Sequence, residues 1–252
     1  MRRSGRNRLL AAAASVLMAL SAIGAEAQNP EAFTKANEEY AAGRFREAIE
    51  LYGEVVERGE TSAALFYNLG NAWFRAGEFG QAILQYQRAL VLEPQHPEAQ
   101  ANLRLTRDKA RALELRQTRW DRMSGRATPA QYSMIATVSF WCGAFCIAAV
   151  LLRRRRSAPL KILAAVSLLV AVAAATALYL RETGSHGKAF AIVTAKNVQA
   201  RLATADNAAT VLVLPPGSEI KVLSERGDWM YAALPNELRG WIPADSAERV
   251  RL

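Results

Sequence analysis

Phe66-Tyr67-Asn68-Leu69-Gly70-Asn71-Ala72-Trp73-Phe74 belongs to the better-formed of two stretches that repeat at a spacing of 34 residues. The offset carries Asn37 onto Asn71, Gly43 onto Gly77, Phe45 onto Phe79, Ala48 onto Ala82, Ile49 onto Ile83 and Tyr52 onto Tyr86. Self-similarity at this period marks a stacked repeat rather than a closed globular core. Within each copy the apolar residues recur at helical spacing on both sides of a glycine, which predicts helix, turn, helix. In the second copy, small residues at Gly70, Ala82 and Ala89 permit close helix crossing, while Leu69, Trp73, Phe79 and Tyr86 fill the layer. Pro94 then stops the second helix. A further helix, roughly Glu98 to Gln117, is expected to cap the stack over residues 28–127, because so few units leave a core exposed.

The nonapeptide above, with Gly77, Ala82, Tyr86, Ala89 and Pro94, resembles a tetratricopeptide repeat. The resemblance implies an all-α helical-repeat fold whose first helices line a concave groove for an extended peptide or a partner helix. By that register the groove residues would be Phe33, Asn37 and Tyr40, then Tyr67, Asn68, Asn71, Phe74 and Arg75. An asparagine there can pair with a peptide backbone, or it can satisfy bonds within the helices themselves. The tetratricopeptide subfamily that clamps a terminal carboxylate has asparagine at the positions of Asn37 and Asn68. It also uses basic residues where this chain has Phe33, Glu98 and Asn102, so the clamp is incomplete here.

The net charge of +9 is a matter of placement. Residues 1–27 carry +3, residues 153–161 carry +5, and residues 28–152 and 182–252 each balance to zero. Nucleic-acid binding needs cations clustered on a folded face, and this distribution argues against it. The four arginines before the apolar run Leu9 to Ile23, followed by Ala25-Glu26-Ala27, read instead as a secretory signal peptide over residues 1–27. Residues 133–152 and 162–180 are uncharged and long enough to span a bilayer. The basic connection between them, 153–161, should face the cytoplasm. Signal and loop agree on one topology, with residues 28–132 and 181–252 outside a bacterial inner membrane. Within the spans Ser139 and Gly143, Ala144 and Ala148, and Ser167, Ala171 and Ala175 lie four apart, suited to packing within the hairpin or against other membrane helices. Cys142 and Cys146 read as small apolar packing residues. The outer parts hold no cysteine, so disulfides play no part in their folding.

After a linker at 181–187 the pattern changes to short strands separated by turn residues such as Pro215-Pro216-Gly217 and Arg226-Gly227-Asp228. Strands are expected at Phe190 to Ala195, Thr210 to Leu214, Glu219 to Glu225, Trp229 to Leu234 and Arg239 to Ile242. The details Asn197-Val198-Gln199-Ala200-Arg201, Gly227 with Trp229, and Gly240-Trp241-Ile242 resemble a bacterial SH3 domain over residues 188–252. That resemblance implies a small all-β barrel. Trp229, Tyr231 and Trp241 would either line a binding groove or sit half-buried in its wall.

Nothing in the chain groups residues for catalysis. His96 and His186 neighbour no nucleophile or metal-ligand cluster, and the glycines fall at repeat turns rather than in a phosphate loop. No enzyme activity, cofactor or metal is expected. The order of signal peptide, repeat pair, membrane hairpin and SH3-like domain is similar to the Bat (aerotolerance-operon) family, in particular its BatE-like members. Tyr67-Asn68-Leu69-Gly70-Asn71 and Ala101-Asn102-Leu103 carry most of that similarity. It implies an inner-membrane accessory of von Willebrand A-type proteins and a MoxR-type ATPase, in envelope maintenance or stress tolerance. The alternative is a membrane-anchored module that grips peptidoglycan through the SH3-like domain.

Overall fold

A computed structural model describes residues 30–116, 119–124, 127–153, 158–184 and 187–251. The expected signal peptide, residues 154–157 of the basic loop, and Ser185 and His186 of the linker lie outside the described residues.

Among the described residues the chain begins with α1 (Pro30–Ala41), α2 (Phe45–Glu57), α3 (Ala63–Arg75), α4 (Phe79–Leu92) and α5 (Pro97–Ala110). Gly43 and Gly77 take the left-handed conformation at equivalent turns, with φ of +79° and +83°, which a residue with a Cβ adopts only with strain. The Ser62 hydroxyl accepts the Leu65 N–H at the start of α3, and the His96 imidazole accepts the Ala99 N–H at the start of α5. Each cap satisfies a donor that the helix itself leaves open. Ala36, Ala48, Tyr52, Val55, Leu65, Leu69 and Ala72 form the first buried layer. In the second, Tyr86 packs against Gly70, where a Cβ would stand 2.7 Å from the ring. Two helix–turn–helix units and a fifth helix are therefore present, as the period predicts.

The fifth helix is shorter than expected. It ends at Ala110, and Arg111 turns the chain through the left-handed region at φ +53°. Residues 112–116 then form an irregular strap that bonds to the β-sheet. Leu113 donates to the Ser218 hydroxyl and accepts from the Glu219 N–H, and Leu115 donates to the Glu219 carboxylate. Those bonds replace the helical ones that residues 112–116 would otherwise make.

After the short α6 (Arg119–Ser124) come two long helices, α7 (Pro129–Arg153) and α8 (Ala158–Thr183), each long and apolar enough to cross a membrane. Thr128 and Gln131 cap α7 reciprocally, each side chain accepting the other's backbone N–H. The helices pack along a seam of small residues. On α8 it is Ala164, Ser167, Ala171 and Ala174, a spacing of three and four that keeps one face toward the neighbour. Gly143 of α7 lies against Leu168 and the Ala164 carbonyl. Ala175, expected in this seam, faces outward, because the period follows 171 to 174 rather than 171 to 175.

Seven strands follow: β1 (Phe190–Val193), β2 (Val198–Arg201), β3 (Thr210–Leu214), β4 (Glu219–Arg226), β5 (Trp229–Ala233), β6 (Arg239–Pro243) and β7 (Ala247–Arg249). All pairings are antiparallel, in the order β3-β2-β6-β5-β4-β1-β7. The strands β2 and β7 were not anticipated. The end strands β3 and β7 are not paired to each other, so the sheet is open where a small barrel was expected. Glu248 of β7 instead meets Gln81 and Arg88 of α4.

The sheet and the helical repeats share a core. Ile83, Leu84 and Leu103 from the helices are buried in one cluster with Phe190 and Ile192 of β1 and with Val250, which follows β7. Gly80 of α4 lies so near β1 that a Cβ there would stand 2.8 Å from the Thr194 carbonyl oxygen.

Candidate functional site

The asparagines of the first helices form two equivalent hydrogen-bonded triads. In the first, the Asn37 amide oxygen accepts from the Tyr52 hydroxyl at 2.6 Å and from the Asn68 amide at 3.0 Å. In the second, the Asn71 amide oxygen accepts from the Tyr86 hydroxyl at 2.7 Å and from the Asn102 amide at 2.9 Å. Each member of the second triad lies 34 residues after its counterpart in the first. The repeat period thus encodes a polar ladder, in which each first-helix asparagine joins its own unit's tyrosine to the next unit's first helix. α5 takes the third rung through Asn102, acting as the first helix of an unfinished repeat.

Burial shapes the tyrosines. It pushes the Tyr52 phenol up to about 12 and raises that of Tyr86 as well, since a phenolate there would lose its water. Both hydroxyls therefore act as hydrogen-bond donors over the whole neutral range.

The ladder occupies the asparagine oxygens and leaves the nitrogens. Among the described residues, the amide nitrogens of Asn37 and Asn71 donate to no protein group, and neither is enclosed. An amide carries two N–H donors, so each of these two side chains keeps donors that the ladder does not use. Beside Asn71 lies a pocket of about 200 Å³ lined by Tyr40, Phe74, Arg75, Asn102, Leu105 and Thr106 with Asn71 and Tyr86. The Phe74 ring is its apolar wall, with the Lys109 ammonium 4.8 Å from the ring centroid. Arg75 lies over Phe45 at 4.8 Å. Of the residues that line this pocket none is a carboxylate and one, Arg75, is a cation.

Four of the residues expected in the groove, Tyr40, Asn71, Phe74 and Arg75, come together in that pocket. Phe33 lines a separate one of about 230 Å³ with Thr34, Val55 and Ser62, and its ring packs on Tyr52 at 5.9 Å. Asn37 and Asn68 belong to the first triad. Tyr67 stacks on His96 at 4.9 Å. Sequence reasoning missed the contribution of α5, namely Asn102, Leu105 and Thr106. The signal was available: Asn68 plus one period is Asn102.

On the sheet, β5 and β6 pair Tyr231 with Trp241 and Trp229 with Pro243. The alternation of a strand places these on the face opposite Met230, Ala232 and Ile242 of the core. The rings of Tyr231 and Trp241 lie 5.0 Å apart, and all three aromatics are half-buried. Arg201 is paired to Trp241 on the same face.

Among the described residues no three His, Cys, Asp or Glu side chains gather as a metal set. His96 is occupied as a helix cap, and Cys142 and Cys146 are free thiols in α7.

Residues 33–99 match the family model of the tetratricopeptide repeat, which spans both helix pairs and enters α5. No curated protein matches the chain.

Proposed function

We propose that this chain is a non-catalytic, membrane-anchored scaffold whose concave helical face holds a segment of another protein. The observation that carries it is the unused amide donor of Asn71 beside the pocket walled by Phe74 and Leu105. An apolar side chain of the partner would fill the pocket while Asn71 bonds a backbone carbonyl. Match to the tetratricopeptide repeat supports this, since such repeats serve protein–protein interaction.

The anchor is the α7–α8 hairpin, which in this reading spans the bacterial inner membrane with the basic loop in the cytoplasm. Two observations favour the hairpin. The outward faces of both helices are rich in large apolar residues, among them Trp141, Phe145, Leu169 and Val172. The repeats and the sheet share a core, and a two-span hairpin is an arrangement that keeps residues 30–116 and 187–251 on one side of the membrane. With a signal peptide that side is the periplasm. The partners proposed are von Willebrand A-type membrane proteins and a MoxR-type ATPase complex, by resemblance to the Bat family, in envelope maintenance or stress tolerance.

The sheet supports a second reading, in which its SH3-like face grips peptidoglycan. The stacked Tyr231 and Trp241, on an outer face with Trp229, favour it, because aromatic faces offer contact area at low entropy cost. Affinity capture of the tagged full-length protein from gently solubilised membranes separates the readings. A membrane-protein partner lost on combining Asn71→Ala with Phe74→Ala supports the groove. Retention of every partner by that variant overturns it, and recovery of murein fragments abolished by Trp241→Ala transfers the function to the sheet.

A further inference from the structure

We infer that Glu219 is a positioning residue for the concave groove, fastening α5 and the strap to the sheet so that displacements of the membrane hairpin reach the groove through it. The inference rests on the reading of the concave face as the binding surface and of α7 and α8 as membrane spans.

Glu219 opens β4 and is 1% exposed. Its backbone N–H donates to the Leu113 carbonyl at 2.8 Å. Its carboxylate accepts from the Leu115 N–H at 2.9 Å, from the Gln87 amide at 3.5 Å, and from the Arg107 guanidinium. A single buried side chain thereby joins β4 to α4, α5 and the strap. Burying a carboxylate is costly unless such donors surround it, and here the strap and α5 share one acceptor group.

The geometry carries this restraint into the groove. Arg107 is the residue after Thr106, which lines the pocket and whose hydroxyl bonds the Asn102 carbonyl. Asn102 in turn completes the Asn71 triad. One face of α5 is thus held by Glu219 while the adjacent face forms the groove wall.

The geometry also carries the restraint to the membrane. The strap leads through α6 into α7. The other arm of the hairpin ends at Thr183, whose carbonyl accepts from the Lys221 ammonium at 2.5 Å. Lys221 lies two residues beyond Glu219 on the same strand, and Glu182 pairs with Arg251 near the chain's C-terminal end. One arm of the hairpin is therefore tied to β4 directly, and the strap that precedes the other arm in the chain is held two residues away, at the buried carboxylate that also holds α5.

Hydrogen exchange of the full-length protein in lipid nanodiscs tests the inference without requiring a partner. Glu219→Gln removes the charge, and Leu115→Pro removes one strap donor while leaving the carboxylate in place. Both should raise exchange across residues 101–110 about tenfold, the equivalent of one lost charge-assisted bond, with α1 and α2 within about twofold of wild type. Glu225→Gln, at the exposed end of β4, should change neither. In nanodiscs of shorter and longer acyl chains, which alter helix tilt, α5 protection should shift in the wild type and not in Glu219→Gln. Unchanged α5 protection in Leu115→Pro, loss spread evenly over α1 to α5, or an equal response of wild type and Glu219→Gln to bilayer thickness would each overturn the coupling. Failure of the groove to bind protein would appear only in the capture experiment, and failure of the hairpin to enter lipid would appear as protein that does not incorporate.

Discussion

The two helical repeats agree where helices meet each other and disagree where only one of them meets the sheet. At the shared helix contacts the 34-residue correspondence holds: Ala48 with Ala82, Tyr52 with Tyr86, Asn37 with Asn71. On the outer face of the second helix it breaks. Exposed Arg46 corresponds to buried Gly80, exposed Glu50 to Leu84 at 0% exposure, and exposed Glu54 to Arg88 at 8%. The first unit shows that face to water, whereas the second lays it on β1 and β7. Departures from a repeat therefore locate the surface that has acquired a neighbour, as surely as agreements locate the stack.

Exchanging residues between the units should break the comparison most sharply at the glycine. Gly80→Arg drives a side chain into the Thr194 carbonyl oxygen, 2.8 Å from where its Cβ would lie, with the Val193 carbonyl oxygen at 3.0 Å. Backbone cannot yield as a flexible side chain can, so a cost of about 3 kcal/mol or more is expected, with separation of sheet from helices. The reverse change, Arg46→Gly, should cost about 1 kcal/mol, the helix propensity difference alone. Thermal unfolding of both variants gives the contrast, and similar losses would remove the argument that the sheet distinguishes the repeats.

Charge gives a milder version of the same contrast. Arg88 donates to the Arg249 carbonyl at 3.1 Å and pairs with Glu248 at 3.3 Å from a side chain only 9% exposed. Its equivalent, Glu54, pairs with Arg58 at 3.3 Å with both side chains at least half exposed. Arg88→Ala should cost about 2 kcal/mol by removing charge-assisted bonds at a buried interface. Glu54→Ala should cost no more than about 0.5 kcal/mol, since an exposed pair is screened by water. Chemical denaturation in low and high salt checks both.

Much of the architecture was legible because it follows from short-range rules. Gly43, Gly77 and Pro94 punctuate helices, and runs of uncharged residues announce α7 and α8. What was not legible depends on contacts distant in sequence. The helical pattern of residues 98–117 gave no sign that Glu219 and Ser218, about a hundred residues later, would draw Leu113 and Leu115 out of a helix. Nor did Glu219 stand out at the head of a strand whose first four residues, Glu219 to Val222, alternate polar and apolar. Of the candidate groove, Tyr40, Asn71, Phe74 and Arg75 were found from the repeat register. Asn102, Leu105 and Thr106 were passed over because α5 was read as a cap instead of as the first helix of a third, unfinished unit. The outer-face residues Gly80 and Leu84 carried a readable signal in their mismatch with Arg46 and Glu50, since a leucine facing water on a polar helix face asks for a cover.

The smallest difference between the repeats should come from the triads, where they are alike and the comparison predicts sameness. Tyr52→Phe and Tyr86→Phe each remove a hydroxyl from an asparagine oxygen that keeps its second amide partner, and each should cost about 1 kcal/mol at neutral pH. Their alkaline behaviour is more telling. An ordinary tyrosine ionises near pH 10, whereas burial holds Tyr52 protonated to about 12 and raises the Tyr86 phenol as well. Above about pH 10 the unfolded chain releases these protons first, so the stability they contribute is whole below that pH and falls as pH rises, by about 1.4 kcal/mol per unit for each tyrosine. Urea titrations at pH 9 and 11 should show the wild type losing more than either variant. For Tyr52→Phe the relief should level off near pH 12. Equal alkaline slopes in wild type and both variants would mean that the phenols are not enclosed by the ladder, and that the two repeats share a sequence pattern without sharing its hydrogen bonds.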